Sequence, residues 1–247
     1  IPVHVWGNAC WMDELVDVCF ERNISIVEDA SESLGTFYTK GKYSGKHTGT
    51  IGKLGCISFN GNKIITCGGG GVILTDECDL ADKARYLTTQ AKDDPTKYIH
   101  HEIGYNFRLT NIQAALGVAQ LEQLPIYLER KREIHLKYVF EINNLEGLSI
   151  AETPGYANNN CWLNILQFDT NIYKNKIESI ISKLDEDGIQ TRPVWYLNHL
   201  QKPYKLSRNF EITMARMLYN ISLCIPSSVQ LLPHQIIRII QLLKGIK

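Results

Sequence analysis

Residues 12–29 read MDELVDVCFERNISIVED, and this stretch decides the expected fold. Apolar residues recur between charges over residues 12–22 with the period of an amphipathic helix. Residues 24–27 then form a short apolar segment, typical of a strand, that leads into acidic residues ending at Asp29. A helix followed by a strand that ends in acid favours an α/β sheet, in which ligands bind beyond the carboxyl ends of the strands.

The alternation of strands and helices continues on the C-terminal side of this stretch. Residues 56–59 and 72–75 are apolar and predict strands, and a helix is expected over 79–86. A long helix with a wide apolar face begins at Thr110, and Pro125 permits a kink within it. We therefore expect an α/β fold with a mostly parallel sheet flanked by helices.

The residue composition of the sequence changes after Gly147. A polar, turn-forming stretch at 152–160 precedes a smaller set of strands and helices, which indicates a small C-terminal α+β domain. Its predicted elements are a strand at 162–168, a helix at 174–187, a strand at 190–195 and a terminal helix from His234. We expect one domain over residues 1–125 and a second over residues 126–247, with the end of the long helix connecting them.

Composition and charge narrow the class of protein. Lys plus Arg and Asp plus Glu number 26 each in 247 residues, so the formal net charge is zero. A neutral chain is not expected to have nucleic acid or an anionic membrane as its partner, and no stretch of about 18 apolar residues predicts a membrane span. The seven cysteines include no C-x-x-C pair, so we expect free thiols in the cytoplasm and no metal site.

The glycine-rich segments do not match the standard phosphate-binding loops. A P-loop ending at Gly52 and Lys53 would need a glycine at His47 and a Ser or Thr at Leu54. The glycine run at 68–71 leads into a strand and lacks the third glycine of a dinucleotide-binding loop. Neither of these two ligand classes is therefore expected.

A pair of catalytic carboxylates could be drawn from Glu28, Asp29 and Glu32, but nothing in the sequence places a partner opposite them. The remaining candidate combines Asp29 and Ser58, at the ends of two predicted strands, with Lys63 on the turn that follows. Lys63 is either an ordinary surface lysine or a buried amine with a depressed pKa, which suits Schiff-base chemistry. In the second case, Asp29 could bind the protonated ring nitrogen of pyridoxal 5'-phosphate and Ser58 its phosphate.

Four motifs, in this order along the chain, resemble those of the DegT/DnrJ/EryC1/StrS sugar aminotransferases. They are PVHVWG at 2–7, EDASESLG at 28–35, SFNGNK at 58–63 with GGGG at 68–71, and GYNFRLT at 104–110 with QAALG at 113–117. The resemblance covers essentially the whole chain. The turn at 60–63 and the segment RPVW at 192–195 are most similar to the branch that makes 4-amino sugars for legionaminic acid.

The resemblance implies a fold-type I pyridoxal phosphate-dependent aminotransferase fold and roles for individual residues. Lys63 is the expected catalytic residue that bonds the cofactor, and Asp29 faces the ring nitrogen of that cofactor. Glu32 occupies a position that contacts the ring or its 3-hydroxyl, and Ser58 binds the phosphate. Asn106 is expected to reach the phosphate in a neighbouring subunit, because active sites of this family are shared across a homodimer.

The implied reaction transfers an amino group from glutamate to a nucleotide-linked 4-keto-6-deoxy sugar, for bacterial surface polysaccharide or nonulosonic acids. Arg192 and His199 match a region that meets the substrate in relatives, and a structural role for each is equally open. Two alternatives remain. One is a GDP-perosamine-type synthase, and the other is a non-catalytic relative that binds a nucleotide sugar.

The chain begins with Ile1 and not with Met, and it enters an apolar run at once. Members of the family have a substantial segment before the PVH motif. We therefore expect these 247 residues to be a fragment of a longer protein.

Overall fold

The fold comes from a computed structural model that describes residues 1–173 and 176–245. The chain divides into two compact units. The first comprises Ile1–Glu129 with Thr153–Trp162, and the second comprises Arg130–Glu152 with Leu163–Lys247.

The helices and strands of the described residues follow one another in an α/β order, and the strands are short. In chain order they are α1 (Met12–Glu21), β1 (Val27–Asp29), β2 (Phe37–Tyr38), β3 (Leu54–Ser58), β4 (Gly71–Leu74), α2 (Cys78–Thr88), α3 (Asn111–Ile142), β5 (Leu148–Ile150), β6 (Ala157–Asn158), β7 (Asn164–Phe168), α4 (Thr170–Tyr173), α5 (Ile177–Glu186), β8 (Arg192–Pro193), α6 (Thr213–Ile221), β9 (Ser222–Ile225) and α7 (Pro233–Lys244). Short 3-10 helices cover Val5–Gly7, Asn198–Leu200 and Lys202–Tyr204.

The first unit contains a mixed three-stranded sheet in the order β1-β3-β4. β1 and β3 are parallel, and a parallel bridge between Val3 and Asp29 lies on the other side of β1. β3 and β4 are antiparallel, with Ser58 opposite Gly71. Because β1 and β3 run in the same direction, Asp29 and Ser58 end at the same edge of the sheet, as the sequence pattern predicts.

α1 packs one face against the rest of the first unit, as its apolar period predicts. Its Met12 side chain is fully buried in a core that also contains Ala9, Ile26 and Tyr38. The hydroxyl of Tyr38 donates a hydrogen bond to the carbonyl of Cys10 at 2.8 Å. This core fixes α1 and the segment before it against the sheet.

The long helix α3 is a single element of 32 residues, although it contains Pro125. Proline has no N–H to donate inside a helix, so one backbone hydrogen bond is absent there, but the helix does not restart. The apolar face predicted for its first half is largely exposed in the first unit, for example at Leu116, Val118 and Leu121.

The second unit contains a four-stranded antiparallel sheet in the order β5-β7-β9-β8, which matches the predicted α+β class. Its core joins this sheet to the second half of α3 and to α5 and α7. The helix predicted over 174–187 is present as α5, and residues 174 and 175 lie outside the described residues. In residues 1–173 and 176–245, no helix is long and apolar enough to cross a membrane.

Candidate functional site

Lys63 lies in the turn between β3 and β4, and its amine is half-buried. The backbone N–H of Lys63 donates to the carbonyl of Asn60 at 3.1 Å, which closes the turn. The Nζ atom lies 4.2 Å from the ring centroid of Trp162. Burial lowers the pKa of Lys63 below its ordinary value, and the carboxylates of Glu32 and Asp29 act in the opposite direction. The residue is therefore an amine held near two acids, and it differs from a solvated surface lysine.

Asp29 is the last residue of β1, and both its backbone and its side chain are held. Its N–H donates to the carbonyl of Pro2 at 2.9 Å, and its own carbonyl accepts from the N–H of His4 at 3.0 Å. The Oδ1 atom accepts from the Ser31 backbone N–H at 3.1 Å and from the Ser31 hydroxyl at 2.5 Å. These contacts fix the direction of the carboxylate at the sheet edge.

Glu32 is oriented by a backbone group from a distant part of the sequence. Its Oε2 atom accepts a hydrogen bond from the backbone N–H of Trp6 at 2.7 Å. Trp6 has a φ of 57° and a ψ of 19°, a left-handed conformation that costs a bulky residue roughly 1–3 kcal/mol. The carbonyl of Glu32 also accepts from Nδ2 of Asn160 at 2.9 Å.

Ser58 ends β3, five residues before Lys63. Its Oγ atom accepts a hydrogen bond from the backbone N–H of Asn60 at 3.2 Å. The glycine run that follows Lys63 has left-handed backbone at Gly68, with a φ of +84°, and at Gly70, with a φ of +87°. Only glycine adopts this conformation without strain, so the run forms a bend that other residues would oppose.

The carboxylates of Glu32 and Asp29 lie close enough to Lys63 to act on its charge, and Ser58 ends at the same sheet edge as Asp29. Asn106 is exposed on the segment between α2 and α3, where it forms an antiparallel bridge with Thr89. The roles expected for Lys63, Asp29, Glu32, Ser58 and Asn106 stay predictions.

Arg192 and His199 belong to the second unit. Arg192 is an exposed residue of β8, and its Nη1 atom donates to the carbonyl of Thr191 at 3.1 Å. His199 lies in a 3-10 helix, and its Nε2 atom is buried with no hydrogen-bond partner among the described residues. Their expected contact with substrate also stays a prediction.

Sequence reasoning missed three residues that shape the site: Trp6, Asn160 and Trp162. Trp162 is only 4% exposed, and no local pattern relates it to a lysine about a hundred positions earlier. Asn160 is the last residue of an asparagine run that was interpreted as turn-forming, and it is in fact buried. The motif at 2–7 indicates that Trp6 belongs to a site, but it does not indicate that the contacting group is the backbone N–H of Trp6.

Comparison with known proteins gives consistent matches along the chain. Residues 1–244 match the model of the DegT/DnrJ/EryC1/StrS aminotransferase family. A putative pyridoxal phosphate-dependent aminotransferase of Bacillus subtilis, EpsN, is 36% identical over 247 residues, which are 98% of this chain and 62% of that protein. The GDP-perosamine synthase of Caulobacter vibrioides is 32% identical over 244 residues, with 97% and 63% covered.

Solved structures agree with the fold. The aminotransferase TlmJ from Streptoalloteichus hindustanus has a TM-score of 0.88 at 22% identity, over 98% of this chain and 64% of that one. DesI, determined in the presence of its TDP-sugar product, has a TM-score of 0.89 at 25% identity, over 98% and 60%. The chain thus spans less than two thirds of the length of these proteins.

Proposed function

Because the chain belongs to the DegT/DnrJ/EryC1/StrS aminotransferase family, we propose that the protein is an aminotransferase acting on a nucleotide-linked sugar. The proposed reaction moves the amino group of glutamate to C4 of a 4-keto-6-deoxy sugar, and glutamate leaves as its 2-keto acid. One ketone is consumed and one is formed, so no external oxidant or reductant is needed.

A single observation carries this proposal. The half-buried amine of Lys63 faces a tryptophan ring, and the carboxylates of Asp29 and Glu32 act on it electrostatically. Covalent catalysis by lysine uses the neutral amine, and burial favours that form by lowering the pKa of Lys63. The family match gives the chemistry in which such an amine is used.

The family uses pyridoxal 5'-phosphate, and the residues of the first unit fit that group. The cofactor has a carbonyl carbon, a basic ring nitrogen and a phosphate, for which the unit offers an amine, a fixed carboxylate and a hydroxyl at one edge of the sheet. When bound, pyridoxal phosphate supplies a ring that takes up the electron pair left when a proton is removed from an adjacent carbon.

Each of these residues has a role in the proposed reaction. Lys63 would hold the cofactor through Nζ and, when free of it, would carry the proton to and from C4 of the sugar. Asp29 keeps the ring nitrogen protonated, because a carboxylate held in place by Ser31 favours the positive charge. Glu32 contacts the ring, and the hydroxyl of Ser58 donates to the phosphate.

The proposed substrate and partner contacts involve residues outside this cluster. Asn106 reaches the phosphate of a second copy of the chain in a homodimer. Arg192 and His199 contact the sugar nucleotide, and the guanidinium of Arg192 suits its diphosphate, with which it can make paired hydrogen bonds. We place the enzyme in the cytoplasm, in the synthesis of surface polysaccharide or nonulosonic acids.

The nucleotide has a second candidate. The GDP-perosamine synthases of Caulobacter vibrioides and Escherichia coli are 32% and 36% identical to this chain. A GDP-linked sugar without an N-acetyl group is therefore the alternative to a UDP-linked N-acetyl sugar.

The test is turnover by the intact protein with glutamate and either a UDP-N-acetyl or a GDP-linked 4-keto-6-deoxy sugar. We expect equal amounts of 2-keto acid and 4-amino sugar with one of the two, measured by mass spectrometry. Lys63→Ala should reduce the rate by about 10³-fold or more. The matched control is Lys53→Ala, which removes an exposed lysine of the same unit that pairs with Glu77. No turnover of either sugar, or full turnover by Lys63→Ala, would contradict the proposal.

A further inference from the structure

Trp162 makes two contacts with the turn that carries Lys63. Its indole N–H donates a hydrogen bond to the backbone carbonyl of Asn62 at 2.9 Å. Its ring centroid lies 4.2 Å from Nζ of Lys63, within the range of a cation–π contact. The indole therefore holds the backbone immediately before Lys63 and covers one side of the amine.

Trp162 is itself fixed by a buried hydrogen-bond network. Its backbone N–H donates to Oδ1 of Asn160 at 3.0 Å, and Asn160 is only 3% exposed. The Nδ2 atom of Asn160 donates to the carbonyls of Glu32 and Leu34, both at 2.9 Å. A continuous set of contacts thus runs from the Glu32 turn through Asn160 and Trp162 to the Lys63 turn.

We propose that Trp162 is a positioning residue for Lys63, holding the turn through its indole N–H and keeping water from one side of the amine with its ring. This inference rests on the proposed function, in which Lys63 bonds the cofactor. The hydrogen bonds of Asn160 hold the indole of Trp162 beside the amine of Lys63. Because Trp162 is buried, it cannot move aside without breaking the contacts that connect the Glu32 turn to the Lys63 turn.

The protonation of Lys63 should depend on this cover. The charged groups that act on its amine are Glu32 and Asp29, which both favour the protonated form, while burial favours the neutral form. Removing the indole would admit water, and hydration stabilises an ammonium more than a ring face does. The pKa of Lys63 should therefore rise in a variant that lacks the ring.

The experiment follows cofactor uptake and not turnover. The intact protein is freed of cofactor, pyridoxal phosphate is added, and the rate at which the visible absorbance of the lysine-bound cofactor appears is measured from pH 6 to 10. We expect Trp162→Leu to take up the cofactor roughly two- to tenfold more slowly than the wild type at neutral pH. The curve of uptake rate against pH should be displaced to higher pH. Trp162→Phe keeps a ring face and loses the N–H, so its profile should be displaced less.

The matched control is Trp11→Leu. Trp11 packs against Tyr156 in the same unit, with ring centroids 4.7 Å apart and ring planes tilted by 58°, and it makes none of the contacts described for Trp162. We expect Trp11→Leu to be less stable than the wild type but to show the same dependence of the cofactor uptake rate on pH. If Trp162→Leu does not fold, the Trp162→Phe profile decides the question.

The outcomes separate the inference from the function. Profiles of both Trp162 variants that coincide with that of the wild type would overturn the inference and leave the proposed function standing. Failure of the wild type to take up the cofactor at any pH would overturn the proposed function itself.

Discussion

At the scale of single residues, the site depends on a buried pair beside Asp29. Nε2 of His4 lies 3.0 Å from Oε2 of Glu28, and both side chains are fully buried. Glu28 also accepts hydrogen bonds of 2.6 to 2.8 Å from three backbone N–H groups within residues 49–52. Because Glu28 directly precedes Asp29, this anchor fixes the end of β1 from which the Asp29 carboxylate projects.

Glu28→Gln should be strongly destabilising. Burial alone would raise the pKa of Glu28, but the hydrogen bonds from His4 and the backbone N–H groups outweigh it and lower the pKa below its ordinary value of 4.5. The amide of glutamine cannot accept all of these bonds, so we expect a loss of about 3–5 kcal/mol in the free energy of unfolding at pH 7. Urea unfolding of the wild type and the variant measures this difference.

The pH dependence of that difference has a definite sign. A carboxyl with a lowered pKa stabilises the fold above its unfolded pKa, and the stabilisation is lost as the pH falls through the folded pKa. The difference in the free energy of unfolding between the wild type and Glu28→Gln should therefore become smaller below about pH 4.5. Glu21→Gln, at an exposed position of α1, should change stability by no more than about 0.5 kcal/mol. A gap that stays constant down to pH 3 would contradict the account.

At the scale of elements, β3 depends on a glycine for its close approach to the neighbouring loop. A Cβ atom at Gly55 would lie 1.9 Å from the carbonyl oxygen of Gly49, and backbone atoms there cannot move aside cheaply. Gly55→Ala should cost more than about 2 kcal/mol, because it separates the loop from the strand that ends at Ser58. Gly69→Ala is the matched control, since no atom lies within 4 Å of the Cβ position. Equal urea midpoints for the two variants would show that β3 tolerates a side chain there.

The elements that a local pattern determines could be predicted from the sequence. The apolar period of residues 12–22 depends on neighbouring residues, and α1 is present. The strand predicted over 24–27 is present as β1 but is displaced to Val27–Asp29. The pairing of β2 with β6 depends on contacts between segments far apart in the chain. The antiparallel direction of β4 depends on the conformation of the connection between Ser58 and Gly71. The left-handed backbone of Trp6 opposes its local preference, so no propensity argument could predict it.

At the scale of the whole molecule, the candidate site is assembled from segments that are distant in sequence. Asp29 and Ser58 could be placed at the ends of neighbouring strands from the sequence, at a position that carries ligand-binding residues in α/β folds, and Lys63 on the turn that follows. Their roles stay predictions. Trp162 comes from the segment Thr153–Trp162, which joins the first unit after the chain has entered the second. Such an assembly follows from the fold alone, and the sequence contains no local signal for it.

We propose that Lys63 is the residue that bonds pyridoxal phosphate. The direct measurement is to load the intact protein with the cofactor, reduce it with borohydride so that the bond becomes permanent, digest it, and locate the added mass by mass spectrometry. We expect the label on Lys63 in the wild type and in Lys53→Ala, and none in Lys63→Ala. A label on a different lysine, or the same labelling in Lys63→Ala, would contradict the account.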